Sequence, residues 1–492
     1  MSSPEVRVTG GELRGSWENG LAVFRGIPYA EAVRFGPPTR TSWEGTRPAV
    51  AFGPPAPQSE VLGADASGPA AGDNWLTANV WSAEPDAAAK RPVMVWIYGG
   101  GYSLGSAARP EYDGGRLARD GQVVVVTFNY RLGVEGFTSI AGAPANRGLL
   151  DQVAALEWVR DDIAAFGGDP GQVTVFGESA GGGSVAALLA MPRAAGLFRR
   201  AIAQSVPGAY FSDELAADIA GAIAGELGLR ATADDLAEVE PELLAAAGDA
   251  VAERIGERAA RWGQAAHSSI PFAPVVDGDV LPSTPWAALA AGSARHVDLI
   301  AGHTRDEQRL LTALTGRLGQ VTPAEAAEAL EIFAPDPRAY GEASPDQLFE
   351  LVHSDWLFRM PSLHLAEAQV TGGGRAHLYE LTWSAPGMGG ILGACHGLDV
   401  PLVFGNLTSG RPAMLIGDSP EAEPLSAEFR TAWTSFAATG DPGWPAYDRE
   451  QRLTKIFDVP SVVTRYPEER SRAIWQNHEF APLPLTAAHE CG

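Results

Sequence analysis

Apolar residues follow two rhythms along this chain. Val93–Tyr98 and Val123–Phe128 are nearly unbroken apolar runs rich in β-branched residues. Without polar alternation they predict strands buried on both faces. Val173–Phe176 and Ala201–Gln204 read the same way, and Leu299–Ala301 and His377–Leu381 resume the pattern. Short β-rich segments, Val6–Val8 and Leu21–Arg25, open the chain and predict a small N-terminal sheet. The second rhythm is helical. Leu150, Val153, Leu156 and Val159 predict a helix over Asn146–Phe166, stopped by the turn Gly167-Gly168-Asp169-Pro170. Ser179–Ala190 predicts a helix of small residues, and Phe52–Gly72, rich in Pro, Gly and Ala, a loop. Strands alternating with helices predict an α/β protein, with a large, mixed but mostly parallel central sheet flanked by helices. Ala/Glu-rich helical regions at 213–258 and 323–369 break the rhythm and predict insertions, near 208–262 and 312–375, that wall a cleft.

Composition narrows the function. The 492 residues are 45% hydrophobic, ample for one large core, so a single domain over 1–492 is expected. A formal charge of −24 repels phosphate backbones and anionic lipid, which excludes nucleic-acid and membrane-surface roles; its plain reading is solubility. Two cysteines, Cys395 and Cys491, cannot build a disulfide scaffold, and two free thiols suit a reducing compartment. The opening Met-Ser-Ser-Pro-Glu-Val-Arg lacks a basic start followed by an apolar run, so no signal peptide and a cytoplasmic location are expected. No uninterrupted apolar stretch reaches the roughly 18 residues of a transmembrane helix.

Two glycine-rich turns carry chemistry. Gly177-Glu178-Ser179-Ala180-Gly181 joins a buried strand to a small-residue helix. A serine at the apex of so sharp a turn is exposed at the sheet end, and its neighbours must be small for strand and helix to approach. Chance could supply Gly-x-Ser-x-Gly in a glycine-rich chain, but not the strand before and the helix after. Gly99-Gly100-Gly101-Tyr102 follows another buried strand, leaving backbone N–H groups unshielded, as a tetrahedral oxyanion requires. A phosphate-cradling loop is the rival, yet no Lys-Ser/Thr follows and the Gly-x-Gly-x-x-Gly spacing is absent. The oxyanion hole is assigned to the N–H groups of Gly100, Gly101 and Ala180.

With these pieces the chain resembles the type-B carboxylesterase/cholinesterase family, and bacterial para-nitrobenzyl-esterase-like carboxylesterases within it. The similarity is carried by Phe24-Arg25-Gly26-Ile27-Pro28-Tyr29-Ala30, Asn129-Tyr130-Arg131-Leu132-Gly133, Asp151-Gln152, Phe166-Gly167-Gly168-Asp169-Pro170 and Phe176–Gly182. Pro274-Val275-Val276-Asp277-Gly278, Trp433, Gly440-Asp441-Pro442 and Trp444-Pro445 extend it towards the C-terminus. The resemblance implies the α/β-hydrolase fold and a Ser-Glu-His triad. It places the acid at Glu307, in Arg305-Asp306-Glu307-Gln308, where Gln308 replaces the usual glycine. It places the base at His396, in Gly393-Ala394-Cys395-His396-Gly397 ahead of Val403-Phe404-Gly405. Read from the residues alone, Asp306 stays a rival acid. The resemblance also implies a substrate pocket at Tyr102, Glu178, Ser268, Ile270, Leu310 and Leu311, and ion pairs Arg34–Asp73 and Arg131–Asp169. The family's first disulfide would join positions matching Ala56 and Trp75, so it is missing. Residues 57 to 74 hold no aromatic, which argues against a choline-ester specialist.

The expected chemistry is hydrolysis of carboxylic esters through an acyl-enzyme, with Ser179 as nucleophile, needing no metal or organic cofactor. The partner expected is a small-molecule ester, and the chain is expected to act as monomer or homodimer. Carbamate, lactone or amide hydrolysis would use the same three groups. A non-catalytic binding module of the family would typically have lost the nucleophile.

Overall fold

The computed structural model describes residues 2–58, 74–268, 270–408, 410 and 412–486. Asp73, Cys491 and most of the predicted Phe52–Gly72 loop lie outside them. Eleven strands form one sheet: β1 (Ser16–Glu18), β2 (Leu21–Pro28), β3 (Thr77–Ser82), β4 (Arg91–Ile97), β5 (Val124–Phe128), β6 (Gly168–Glu178), β7 (Arg200–Gln204), β8 (Asp298–Thr304), β9 (Ala376–Leu381), β10 (Leu453–Phe457) and β11 (Val462–Arg465). Their spatial order is β1-β2-β3-β5-β4-β6-β7-β8-β9-β10-β11. Neighbours from β5 through β10 pair in parallel, while β1, β2, β3 and β11 add antiparallel edges. Helices cover the sheet: α1 (Arg147–Asp162), α2 (Ala180–Ala190), α3 (Asp213–Glu226), α4 (Pro241–Glu253), α5 (Glu307–Leu314), α6 (Pro323–Phe333), α7 (Pro345–Ser354), α8 (Met360–Thr371) and α9 (Ala422–Thr439). This is the predicted α/β-hydrolase architecture. Among the described residues no helix is long and apolar enough to cross a membrane.

Burial explains the pattern that gave the parallel strands away. Every residue of β5 and the last five of β4 are buried, as two-face coverage demands. The predicted N-terminal sheet forms from Glu5–Val8, Gly11–Arg14 and Thr46–Pro48, although Leu21–Arg25 joins the large sheet instead. The strand β3 escaped prediction because Thr77, Asn79 and Ser82 make it look polar. All six of its residues are buried, and Asn79 is satisfied by the Thr127 hydroxyl (3.0 Å) and the Gly26 N–H (3.0 Å). The stop after α1 falls at Gly167, in the left-handed region at φ 85°. Residues 168–170, expected as turn, open β6 with a register shift before Val173.

The expected Arg131–Asp169 pair does not form. Arg131 instead binds Asp151 of α1 through two parallel bonds (2.8 and 2.7 Å), and both side chains are buried. Asp169 turns to its own stretch of β6 and accepts from the Gly171 N–H and the Gln172 amide. The backbone N–H of Arg131 also bonds Asp151 (3.0 Å), so α1 lies directly against this arginine. Arg34, expected to meet Asp73, bonds Glu135 (3.0 Å) and the Ala237 carbonyl.

Candidate active site

The parallel register brings one end of several strands to a common line. Ile97 of β4 lies opposite Gly177 of β6, Glu178 opposite Gln204 of β7, and Gln204 opposite Gly302 of β8. In open α/β sheets these carboxyl ends form the ligand crevice. Each candidate group leaves the sheet here.

The residue at the turn after β6 is Ser179, held at φ 57°, ψ −125°, a strained conformation for a residue with a side chain. Its N–H donates to the Gln204 carbonyl (3.0 Å), and its carbonyl accepts from Gly183. Tightness explains the small neighbours: a Cβ on Gly181 would lie 2.0 Å from the Ile97 carbonyl oxygen. Beside the turn runs the loop after β4. Gly100 sits at φ 126°, and a Cβ there would meet the Leu104 carbonyl oxygen at 2.1 Å. Among the described residues, the N–H groups of Gly100, Gly101 and Ala180 donate to no protein acceptor. They remain available to a ligand.

The loop after β9 brings His396 to the same place. Its Nδ1 meets the Glu307 carboxylate at 2.5 Å, and its Nε2 edge faces the turn, 3.2 Å from Glu178 Oε1. Glu307, fully buried at the start of α5, spends its other oxygen on the Ser205 hydroxyl (2.6 Å) and the Thr304 N–H (2.9 Å). Burial pushes its pKa up, but His396 and Ser205 outweigh that and hold the carboxyl below its ordinary range. The rival acid has another task. Asp306 accepts from the Ala394 N–H (2.8 Å) and its own N–H donates to the Ala394 carbonyl (2.9 Å), clamping the histidine loop.

Burial works against the charged imidazole, yet the carboxylates of Glu178 and Glu307 prevail and raise it to about 9. Glu178 is itself pushed up to about 8 by burial, partly offset by His396. Ser205 and Thr304 carried no local signal, because only the register of β7 against β8 sets them around Glu307. Phe358 was also missed; its ring stacks on His396 with centroids 4.2 Å apart.

The pocket candidates divide. Ile270 lies over the glycine loop, where a Cβ on Gly101 would come 2.4 Å from its Cδ1. Leu310 and Leu311 are half-buried on α5. The Ser268 hydroxyl is taken by the Ala265 and Ile270 carbonyls. Tyr102 is buried beneath the loop, its ring 4.6 Å from that of Phe137 and its hydroxyl beside Gly183. Among the described residues, no group of three or more His, Cys, Asp and Glu side chains is placed to hold a metal ion.

This geometry has relatives. The model of the carboxylesterase family matches residues 2–332 and 320–475. A para-nitrobenzyl esterase of Bacillus subtilis (strain 168) is 38% identical, with 96% of this chain and 98% of the relative covered. A phenmedipham hydrolase of Pseudarthrobacter oxydans is 33% identical over 91% of this chain and 93% of its own. Among solved structures, a PNB esterase superposes with a TM-score of 0.85 at 36% identity, covering 96% of this chain and 99% of its own. A carboxylesterase of Geobacillus stearothermophilus gives 0.80 at 36% identity, over 96% and 100%. The chain belongs to the carboxylesterase family and is a serine hydrolase of carboxylic esters.

Proposed function

We propose that Ser179, His396 and Glu307 perform two-step acyl transfer. His396 Nε2 takes the Ser179 proton as the hydroxyl oxygen attacks the ester carbonyl. Glu307 keeps the Nδ1 proton aligned and stabilises the imidazolium. The oxyanion rests on the N–H groups of Gly100, Gly101 and Ala180, aimed before charge develops. Collapse expels the alcohol, protonated by His396, and water then releases the acid by the same route. The carrying observation is a buried carboxylate 2.5 Å from an imidazole whose other nitrogen faces the serine turn.

Ile270 over the glycine loop, with Leu310 and Leu311, supports an aliphatic acyl or alcohol site. A para-nitrobenzyl ester is the first substrate to assay, followed by nitrophenyl esters of rising acyl length, a tert-butyl ester and aryl carbamates. Ser179→Ala should keep the unfolding temperature and lower kcat by on the order of 10⁴-fold, and abolish labelling by an organophosphonate. Turnover persisting in that variant would remove Ser179 from the mechanism. Cys395, buried and free, suits a reducing, cytoplasmic setting. A monomer or homodimer is the assembly to check by light scattering.

A further inference from the structure

The helices α7 and α8 are one continuous helix, interrupted by a π-helical turn over Asp355–Arg359. Such a turn inserts one residue into the helical register and is frequent at functional sites. Here it is fastened on both sides. Asp355 accepts from the Tyr340 hydroxyl (2.9 Å), and Arg359 reaches Glu468 at 2.6 Å and Asp355 at 3.3 Å. Asp355 and Arg359 are buried. On the sheet side, the Leu357 carbonyl accepts from the Gly208 N–H (2.8 Å), and the Ser362 hydroxyl accepts from the Val206 N–H (3.0 Å). Gly208 and Val206 belong to the segment that begins at Ser205, the residue holding Glu307. The turn therefore shares a rigid frame with the acid that orients His396.

What the turn presents is Phe358. It is 4% exposed, and its ring stacks on the imidazole of His396 with centroids 4.2 Å apart and planes 30° from parallel. The charged neighbours of that imidazole lie elsewhere: Glu307 at Nδ1, Glu178 towards Nε2, and Asp399 within electrostatic reach. A hydrogen bond at Nδ1 fixes one point of the ring and leaves its tilt free. A flat group pressed on one face removes that freedom. The face of a phenyl ring is also electron-rich and attracts a cation.

We propose that Phe358 is a positioning residue for His396: it fixes the tilt of the imidazole and stabilises the imidazolium formed when Nε2 takes the Ser179 proton. The attraction grows as the ring gains charge, so it lowers the barrier and not merely the energy of bound substrate. The inference rests on the reading of Ser179, His396 and Glu307 as the reacting groups.

The test compares wild type, Phe358→Leu, and full-length protein with 3,4,5-trifluorophenylalanine at position 358. The fluorinated ring keeps the shape and loses the electron-rich face. The readouts are kcat, KM and the pH dependence of kcat/KM on a nitrophenyl ester, with the active serine counted by organophosphonate labelling. Both changes should lower kcat by about threefold to thirtyfold, with KM held within about twofold. Both should move the acid limb of kcat/KM down by about half a pH unit, because a less favoured imidazolium loses its proton more easily. Wild-type kcat and limb in the fluorinated protein would overturn the proposal. A lower kcat with an unmoved limb would also overturn it, since packing alone explains that result. If Phe358→Leu does not fold, the fluorinated protein decides alone. Absence of Ser179-dependent labelling in wild type would overturn the esterase mechanism itself, and this proposal with it.

Discussion

At the residue scale, the two adjacent acids Asp306 and Glu307 do different work, and this can be separated. Glu307 touches the imidazole, whereas Asp306 holds the backbone of the loop that carries it. Glu307→Gln should cut kcat/KM by on the order of 10³-fold or more, since an amide can present the wrong hydrogen-bonding partner to Nδ1–H. Asp306→Asn should cost far less activity and lower the unfolding temperature, because a looser loop still delivers the ring. Equal losses of kcat/KM would contradict this division. Glu178 gives a second residue-scale prediction. It lies beside the imidazole edge that the proposed mechanism requires to be neutral, and with Glu307 it raises His396. Glu178→Gln removes one anion, so the imidazolium becomes less stable and gives up its proton at lower pH. The acid limb of kcat/KM should shift to lower pH, as read from a pH–rate profile. An unmoved limb would count against an ionised Glu178.

At the element scale, the site depends on how closely β4, β6 and α2 approach. Gly181 is where helix and strand nearly touch: a methyl group there would have to displace the Ile97 backbone, which leads directly into the glycine loop. Gly181→Ala should therefore destabilise the fold by about 1–3 kcal/mol, as overpacking against backbone does. It should also lower kcat more than KM rises, because the loop N–H groups lose their aim. Chemical denaturation and steady-state kinetics on the same preparation check both halves. The Asp151–Gln152 pair serves the same junction from behind. Asp151 holds Arg131, and Gln152 donates to the Ser184 hydroxyl inside α2 (3.0 Å).

At the scale of the whole molecule, the formal charge of −24 is a long-range term that no single contact reveals. Like charges repel in the compact state, and salt screens them over about 8–10 Å at physiological strength. The unfolding temperature should rise by a few degrees between about 10 mM and 0.5 M NaCl, while KM for an uncharged ester stays nearly constant. A falling unfolding temperature would show that attractive exposed pairs, such as Arg7–Glu12 and Arg14–Glu5, dominate the balance instead.

The chain on its own specified those features that depend on local physics. Unbroken β-branched runs must be buried on both faces, so β4 and β5 were legible. A serine among glycines between strand and helix has few conformational options, so Ser179 was legible too. The family blocks supplied Glu307 and His396. Contacts that depend on register between distant segments were not written locally. Nothing in Thr77–Ser82 signals a fully buried strand, because the Asn79 amide finds its partners only after β2 and β5 flank it. Asp151 and Asp169 are both acids near Arg131's reach along the chain, and only the packing of α1 chose between them. Ser205 and Phe358 became neighbours of Glu307 and His396 because β7, β8 and the π-helical turn converge in space.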